Sequence, residues 1–85
     1  MPYIGSSRDL FDPHLNNLSK EIAHAGELNY CMTRLALGYV RFKGKKYLTF
    51  CVVIGTFVCA ALEFYRRWVG PYEDEKIVEN GDVSW

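Results

Sequence analysis

Eighty-five residues hold one domain at most, and a chain this short buries only a modest share of its surface. Lys+Arg and Asp+Glu balance at 10 each, so the basic excess of a general nucleic-acid binder is missing. Hydrophobic residues at 49% and aromatics at 15% are rich for this length, which requires very efficient packing or a second subunit, and a homo-oligomer is expected.

The start, Met1-Pro2-Tyr3-Ile4-Gly5, has neither a basic region nor an apolar core of signal-peptide type. Residues 1–11 mix Pro, Gly and Ser without a clear period and are expected to be an extended or irregular arm. Asp12-Pro13 reads as a helix start, with Asp as N-cap and Pro at the first helical position. Leu15, Leu18, Ile22 and Ala25 then follow at helical spacing, giving a first helix over about 13–25 that Gly26 ends or bends.

A second helix is predicted over about 27–42, because Leu28, Cys31, Leu35, Tyr39 and Phe42 recur every three or four residues. Gly44 suits the left-handed position after it, inside the basic loop Lys43-Gly44-Lys45-Lys46. With Arg41 these lysines form a basic cluster, read as a solvated helix end. The third helix is the longest, from Tyr47 or Leu48 to Val69. Tyr47, Phe50, Ile54, Phe57, Ala61, Phe64 and Trp68 alternate by three and four along it, the spacing of a bundle or coiled-coil seam. Cys51, Val52, Val53, Val58 and Leu62 make its middle apolar on other faces too, so it is expected to be buried on all sides. Two ordinary helices can hardly cover it, which is the main reason to expect a second subunit. Gly55 and Ala60 are small enough for a helix to come close, a weak signal alone.

Gly70-Pro71 is expected to terminate the third helix. The charged stretch 72–79 forms one or two helical turns on this reading, Asn80-Gly81 a tight turn, and Asp82 to Trp85 a short extended tail. The expected architecture is therefore all-α: a compact three-helix domain over 1–85 with a long buried third helix, a C-terminal segment 71–85 and extended termini.

Leu48 to Leu62 is a run of fifteen uncharged residues flanked by Lys45-Lys46 and Arg66-Arg67. A spanning helix needs roughly 20 apolar residues, and Glu63 stops this run short, so a core helix is expected and a membrane span is not. Cys31, Cys51 and Cys59 form no CxxC pair and their odd number argues against a disulfide framework. Free thiols in apolar surroundings fit small core residues and a cytoplasmic, reducing setting.

Chemistry-bearing residues gather at Glu63 to Asp74. Arg66 and Arg67 stand three and four residues after Glu63, within reach along a helix. One reading is a site for a small anionic ligand, in which Arg66 and Arg67 contact phosphate or carboxylate while Tyr65, Tyr30 or Tyr72 stacks on a planar group. The other is an intrahelical ion pair at a helix end. Asn29 and Thr33 share a face beside Tyr30 and line a polar pocket or bond across a subunit interface, the interface or cap being favoured. Glu73 and Asp74 belong to the most acidic stretch, read as solvated, with pairing to an arginine of another subunit as the sharper variant. Glu63, Glu73, Asp74, Phe57 and Trp68 are the candidate interface residues. His14 and His24 do not share a helix face cleanly, so no metal or cofactor is expected. No nucleophile elbow, phosphate loop, dinucleotide fingerprint or zinc motif is present, and the chain is expected not to be an enzyme.

As a whole, MPYI at the start, Asp12-Pro13-His14, Gly26-Glu27-Leu28-Asn29-Tyr30 with Thr33 and Arg34, Val53-Ile54-Gly55, LEFYRR at 62–67, PYEDEKI at 71–77 and ENGDV at 79–83 resemble a family of short proteins of phages, prophages and bacteria. The resemblance covers nearly the whole chain and implies a compact soluble helical protein with no established activity. Val58 and Ala61 stand where that pattern has polar residues, so this chain is more apolar there. The expected function is that of a non-catalytic, homo-oligomeric phage-type accessory protein. It would bind a host factor or a small anion such as a signalling nucleotide, in the manner of a counter-defence protein, by analogy. The alternative is a structural or protein-interaction module in which the same Arg, Tyr and Glu residues build the subunit interface.

Overall fold

The computed structural model describes residues 2–84 and is all-α, with no strand among the described residues. Its elements are a 3-10 turn at Gly5–Ser7, α1 (Arg8–Glu21), α2 (Ala25–Lys43), α3 (Tyr47–Phe64), a π-turn at Tyr65–Val69 and α4 (Gly70–Asn80). The last three form one helical run, Tyr47–Asn80, so three helical stretches are present as expected. Contacts within the chain fall into two compact units, Met1–Val53 and Ile54–Trp85.

Several boundaries differ from the sequence-based expectation. The arm is helical from Gly5 onward, and Pro13 sits inside α1 rather than at its start. Phe11, Leu15, Leu18 and Ile22 lie at steps of four, three and four, so the apolar face extends a turn upstream of Pro13. The proline then forfeits only the bond its N–H would have made to Asp9 in the first turn. α1 stops at Glu21 because Ile22 turns extended (φ −77°, ψ 115°). Gly26 therefore belongs to the first turn of α2. α2 ends as expected: Gly44 adopts φ 108° and donates its N–H to the Val40 carbonyl at 2.8 Å, a conformation that strains any residue with a Cβ.

Gly70-Pro71 does not end the third helix. Gly70 donates its N–H to the Tyr65 carbonyl five residues back, which widens one turn, and the chain continues helically with Pro71 in the first turn of α4. A proline ring clashes with the carbonyl four residues before it, here Arg67, and a widened turn just ahead relieves that clash. α4 runs eleven residues, longer than the one or two turns expected. Gly81 (φ 84°) closes it with an N–H bond to the Ile77 carbonyl, so Asn80-Gly81 is a helix end and not a hairpin turn. The expectation for Trp85 lies outside the described residues.

Burial is the main departure. Among the described residues only Val40 and Thr49 are buried, and Thr49 is the one buried residue of α3. The burial expected of the third helix is not supplied by its own chain. Ile54 is 64% exposed, Phe64 60% and Trp68 57%. By length and composition alone the run Tyr47–Asn80 could cross a membrane, with a mean hydropathy of 2.0 in its most apolar window.

Candidate functional site

Tyr65, Arg66, Arg67, Trp68 and Tyr72 fall in the second unit, on the π-turn and the start of α4. Arg66 pairs with Glu63 at 2.5 Å, three residues back, as the spacing suggested. The Glu63 side chain is largely covered while Arg66 is two-thirds exposed, so this is a surface ion pair of a few tenths of a kcal/mol, about 0.3–0.5. Arg67 lies over the Trp68 ring, 5.0 Å from its centroid. Trp68 in turn meets Phe64 with ring centroids 5.5 Å apart. Lys76 sits 5.3 Å above the Tyr72 ring and pairs with Glu79 at 3.0 Å.

The Tyr65 hydroxyl donates to the Glu73 carboxylate eight residues on. In a regular α-helix position i+7 returns to the same face and i+8 is rotated by about 80°. The π-turn adds one residue between the two, and i+8 takes the place of i+7. The bond is therefore a product of the same widened turn that admits Pro71. Its acceptor charge holds the Tyr65 hydroxyl above the ordinary tyrosine range: the hydrogen bond to Glu73 is the largest cause, then the Glu73 charge, desolvation and Asp74.

Asn29, Tyr30 and Thr33 lie on α2 in the first unit. Thr33 donates its hydroxyl to the Asn29 side-chain oxygen at 3.2 Å, the i, i+4 pairing that the sequence suggested. Tyr30 borders an open groove of about 390 Å³ with Leu18, Ile22, His24, Cys31 and the carboxylates Glu21 and Glu27.

Sequence reasoning missed the cap at the head of that groove. His24 accepts the Glu27 N–H on Nδ1 at 3.4 Å, while Glu27 Oε1 accepts the Ala23 N–H at 2.7 Å and Oε2 lies 3.5 Å from His24 Nε2. This is a variant of the capping box, with histidine in the serine place and Glu27 reaching the N–H of Ala23 instead of that of His24, and the His24-x-x-Glu27 spacing was its visible signal. A Cβ on Gly26 would stand 3.3 Å from the His24 ring, which explains a glycine inside a first helical turn.

Among the candidate interface residues, Glu63 and Glu73 are engaged along their own helix, Phe57 is half-buried, and Trp68 and Asp74 are exposed. No group of three or more His, Cys, Asp or Glu that could hold a metal occurs among the described residues.

Neither the curated proteins nor the solved structures contain a match to this chain. A family model described as a domain of unknown function, DUF6899, matches residues 1–83, and the chain belongs to that family.

Proposed function

We propose that this protein is a non-catalytic, homo-oligomeric interaction module whose working surface is the apolar seam of α3. The observation that carries the reading is the exposure of that seam. Tyr47, Phe50, Ile54, Phe64 and Trp68 belong to that repeat and remain open to solvent in the single chain, while Phe57 between them is half-buried. Exposed apolar surface of this extent on one helix face marks an association site.

The anion-binding reading fares less well on the same residues. Arg66 is neutralised by Glu63, Arg67 covers Trp68, and Tyr65 is bonded to a carboxylate. The groove beside Tyr30 carries Glu21 and Glu27, which repel an anion. A phage-type accessory role acting stoichiometrically on a host protein fits the module reading, with the α4 surface left to meet the target.

Replacing both Arg66 and Arg67 by Ala separates the two readings. The module reading expects a changed assembly equilibrium and no thermal shift with cyclic or linear nucleotides. A nucleotide-induced shift in the wild type that the variant loses, with assembly unchanged, would favour the anion site instead.

A further inference from the structure

We infer that the corner between α2 and α3 docks on the surface of an anionic lipid bilayer, with Arg41, Lys43, Lys45 and Lys46 at the headgroups and Phe42 and Leu48 entering the interfacial layer. The inference concerns one end of the first unit and stands independently of association through α3.

The balance of 10 cations against 10 anions hides a segregation. Residues 28–62 contain Arg34, Arg41, Lys43, Lys45 and Lys46 but no Asp or Glu. Four of these cations fall within the segment 41–46, and all four are exposed. None has a carboxylate partner among the described residues, where the ion pairs are His24–Glu27, Glu63–Arg66 and Lys76–Glu79.

The fold accounts for only part of this charge. Arg41 and Lys43 lie in the last turn of α2, where cations complement the negative end of the helix dipole. Lys45 and Lys46 stand immediately before α3, at its positive end, and no acidic residue in its first turn offsets them. That placement costs stability, and an external anion relieves the cost. The corner is also held tightly. Gly44 donates its N–H to the Val40 carbonyl at 2.8 Å, Lys46 to the Gly44 carbonyl at 3.0 Å, and Phe50 to the Lys46 carbonyl at 3.1 Å. A Cβ on Gly44 would stand 3.5 Å from Lys46 Cε, so the Lys46 stem folds over the loop.

Two large apolar side chains share the corner: Phe42 is 87% exposed and Leu48 73%. A cluster of about four or more Lys and Arg beside apolar residues suits an anionic leaflet, since charge and apolar insertion act together. Nucleic-acid phosphates also attract such a cluster, but two features favour lipid. Three of the four cations are Lys, point charges without the fork that a guanidinium offers a phosphate. Leu48 has no ring on which a base could stack, whereas Phe42 and Leu48 both transfer readily into a lipid interface.

The test is co-sedimentation of the full chain with vesicles of phosphatidylcholine alone, or mixed with an equal part of phosphatidylglycerol, at ~0.15 M salt. Each cation at an anionic surface contributes about fivefold in partitioning, so four favour the mixed vesicles by several hundredfold. Lys45→Gln combined with Lys46→Gln is expected to weaken binding about thirtyfold and Phe42→Ala about fivefold, at unchanged helix content by circular dichroism. Lys45→Arg combined with Lys46→Arg, and Lys20→Gln on α1, should both stay within about twofold of wild type. Salt at ~1 M should release the bound protein. Equal binding to the two vesicles, no binding to either, or a double Gln variant that binds like wild type overturns the inference. Protein that resists ~1 M salt and needs detergent for release overturns surface docking, because α3 then lies within the bilayer. Tighter capture by a single-stranded oligonucleotide than by the mixed vesicles also overturns it and assigns the corner to nucleic acid.

Discussion

Ile54 lies at the middle of the α3 seam, and truncating it to Ala measures what that seam contributes to association. The change removes three carbons per copy, at about 0.8 kcal/mol for each buried one. Ile54 is 64% exposed in the single chain, and only that share remains to be covered by a partner. The expected loss is therefore about 1.5 kcal/mol per copy and about 3 kcal/mol per dimer, or roughly a hundredfold in dissociation constant. The higher helix propensity of Ala returns only a few tenths, about 0.4 kcal/mol per copy. Val78→Ala is the control. Val78 is still more exposed, at 85%, but lies on α4 away from the seam, and its truncation is expected to leave association within about threefold. Sedimentation velocity across a hundredfold or wider dilution range resolves the difference, with far-ultraviolet circular dichroism confirming equal helix content. An Ile54→Ala protein that associates like wild type, or a Val78→Ala protein equally weakened, would refute the seam as the association surface.

Three further outcomes follow from the local geometry. Tyr65 is held protonated by Glu73, so its raised ionisation favours the native state below the ordinary tyrosine value of about 10 and that contribution disappears as pH rises through the higher native one. Tyrosinate absorbance should show one late-ionising tyrosine that Tyr65→Phe removes; loss of an ordinary one instead contradicts the bond. His24→Ala should lower stability by about 1 kcal/mol through loss of the cap, measured by urea unfolding, and no change would mean the capping box is idle. Gly44→Ala, at φ 108°, should lower it by about 1–3 kcal/mol, whereas an unchanged or raised midpoint would show that the loop relaxes freely.

Much of the helical organisation was legible in the sequence, because long periodic segments report themselves. The Leu28–Phe42 repeat found α2 within two residues, and Gly44 marked its end. The 3-4 alternation from Tyr47 onward found α3. Proline misled twice for one physical reason: a missing N–H and a ring clash are local defects that a helix can absorb, at Pro13 near a helix start and at Pro71 behind a π-turn. No propensity pattern announces a π-turn, so the Tyr65–Glu73 bond at i+8 was out of reach. The Arg66–Glu63 and Asn29–Thr33 pairs were readable because they follow the i+3 and i+4 spacing of a regular helix. Apolar composition pointed to burial of α3 but could not say by what, and the chain itself buries Thr49 alone of the α3 residues while half-covering Val53, Phe57 and Glu63.

Association through α3 is tested most directly by the mass of the purified protein in detergent-free buffer, measured by multi-angle light scattering. The seam predicts a helical species of about twice the 9.8 kDa chain at micromolar concentration and above. A helical species that stays at 9.8 kDa across that range would contradict it.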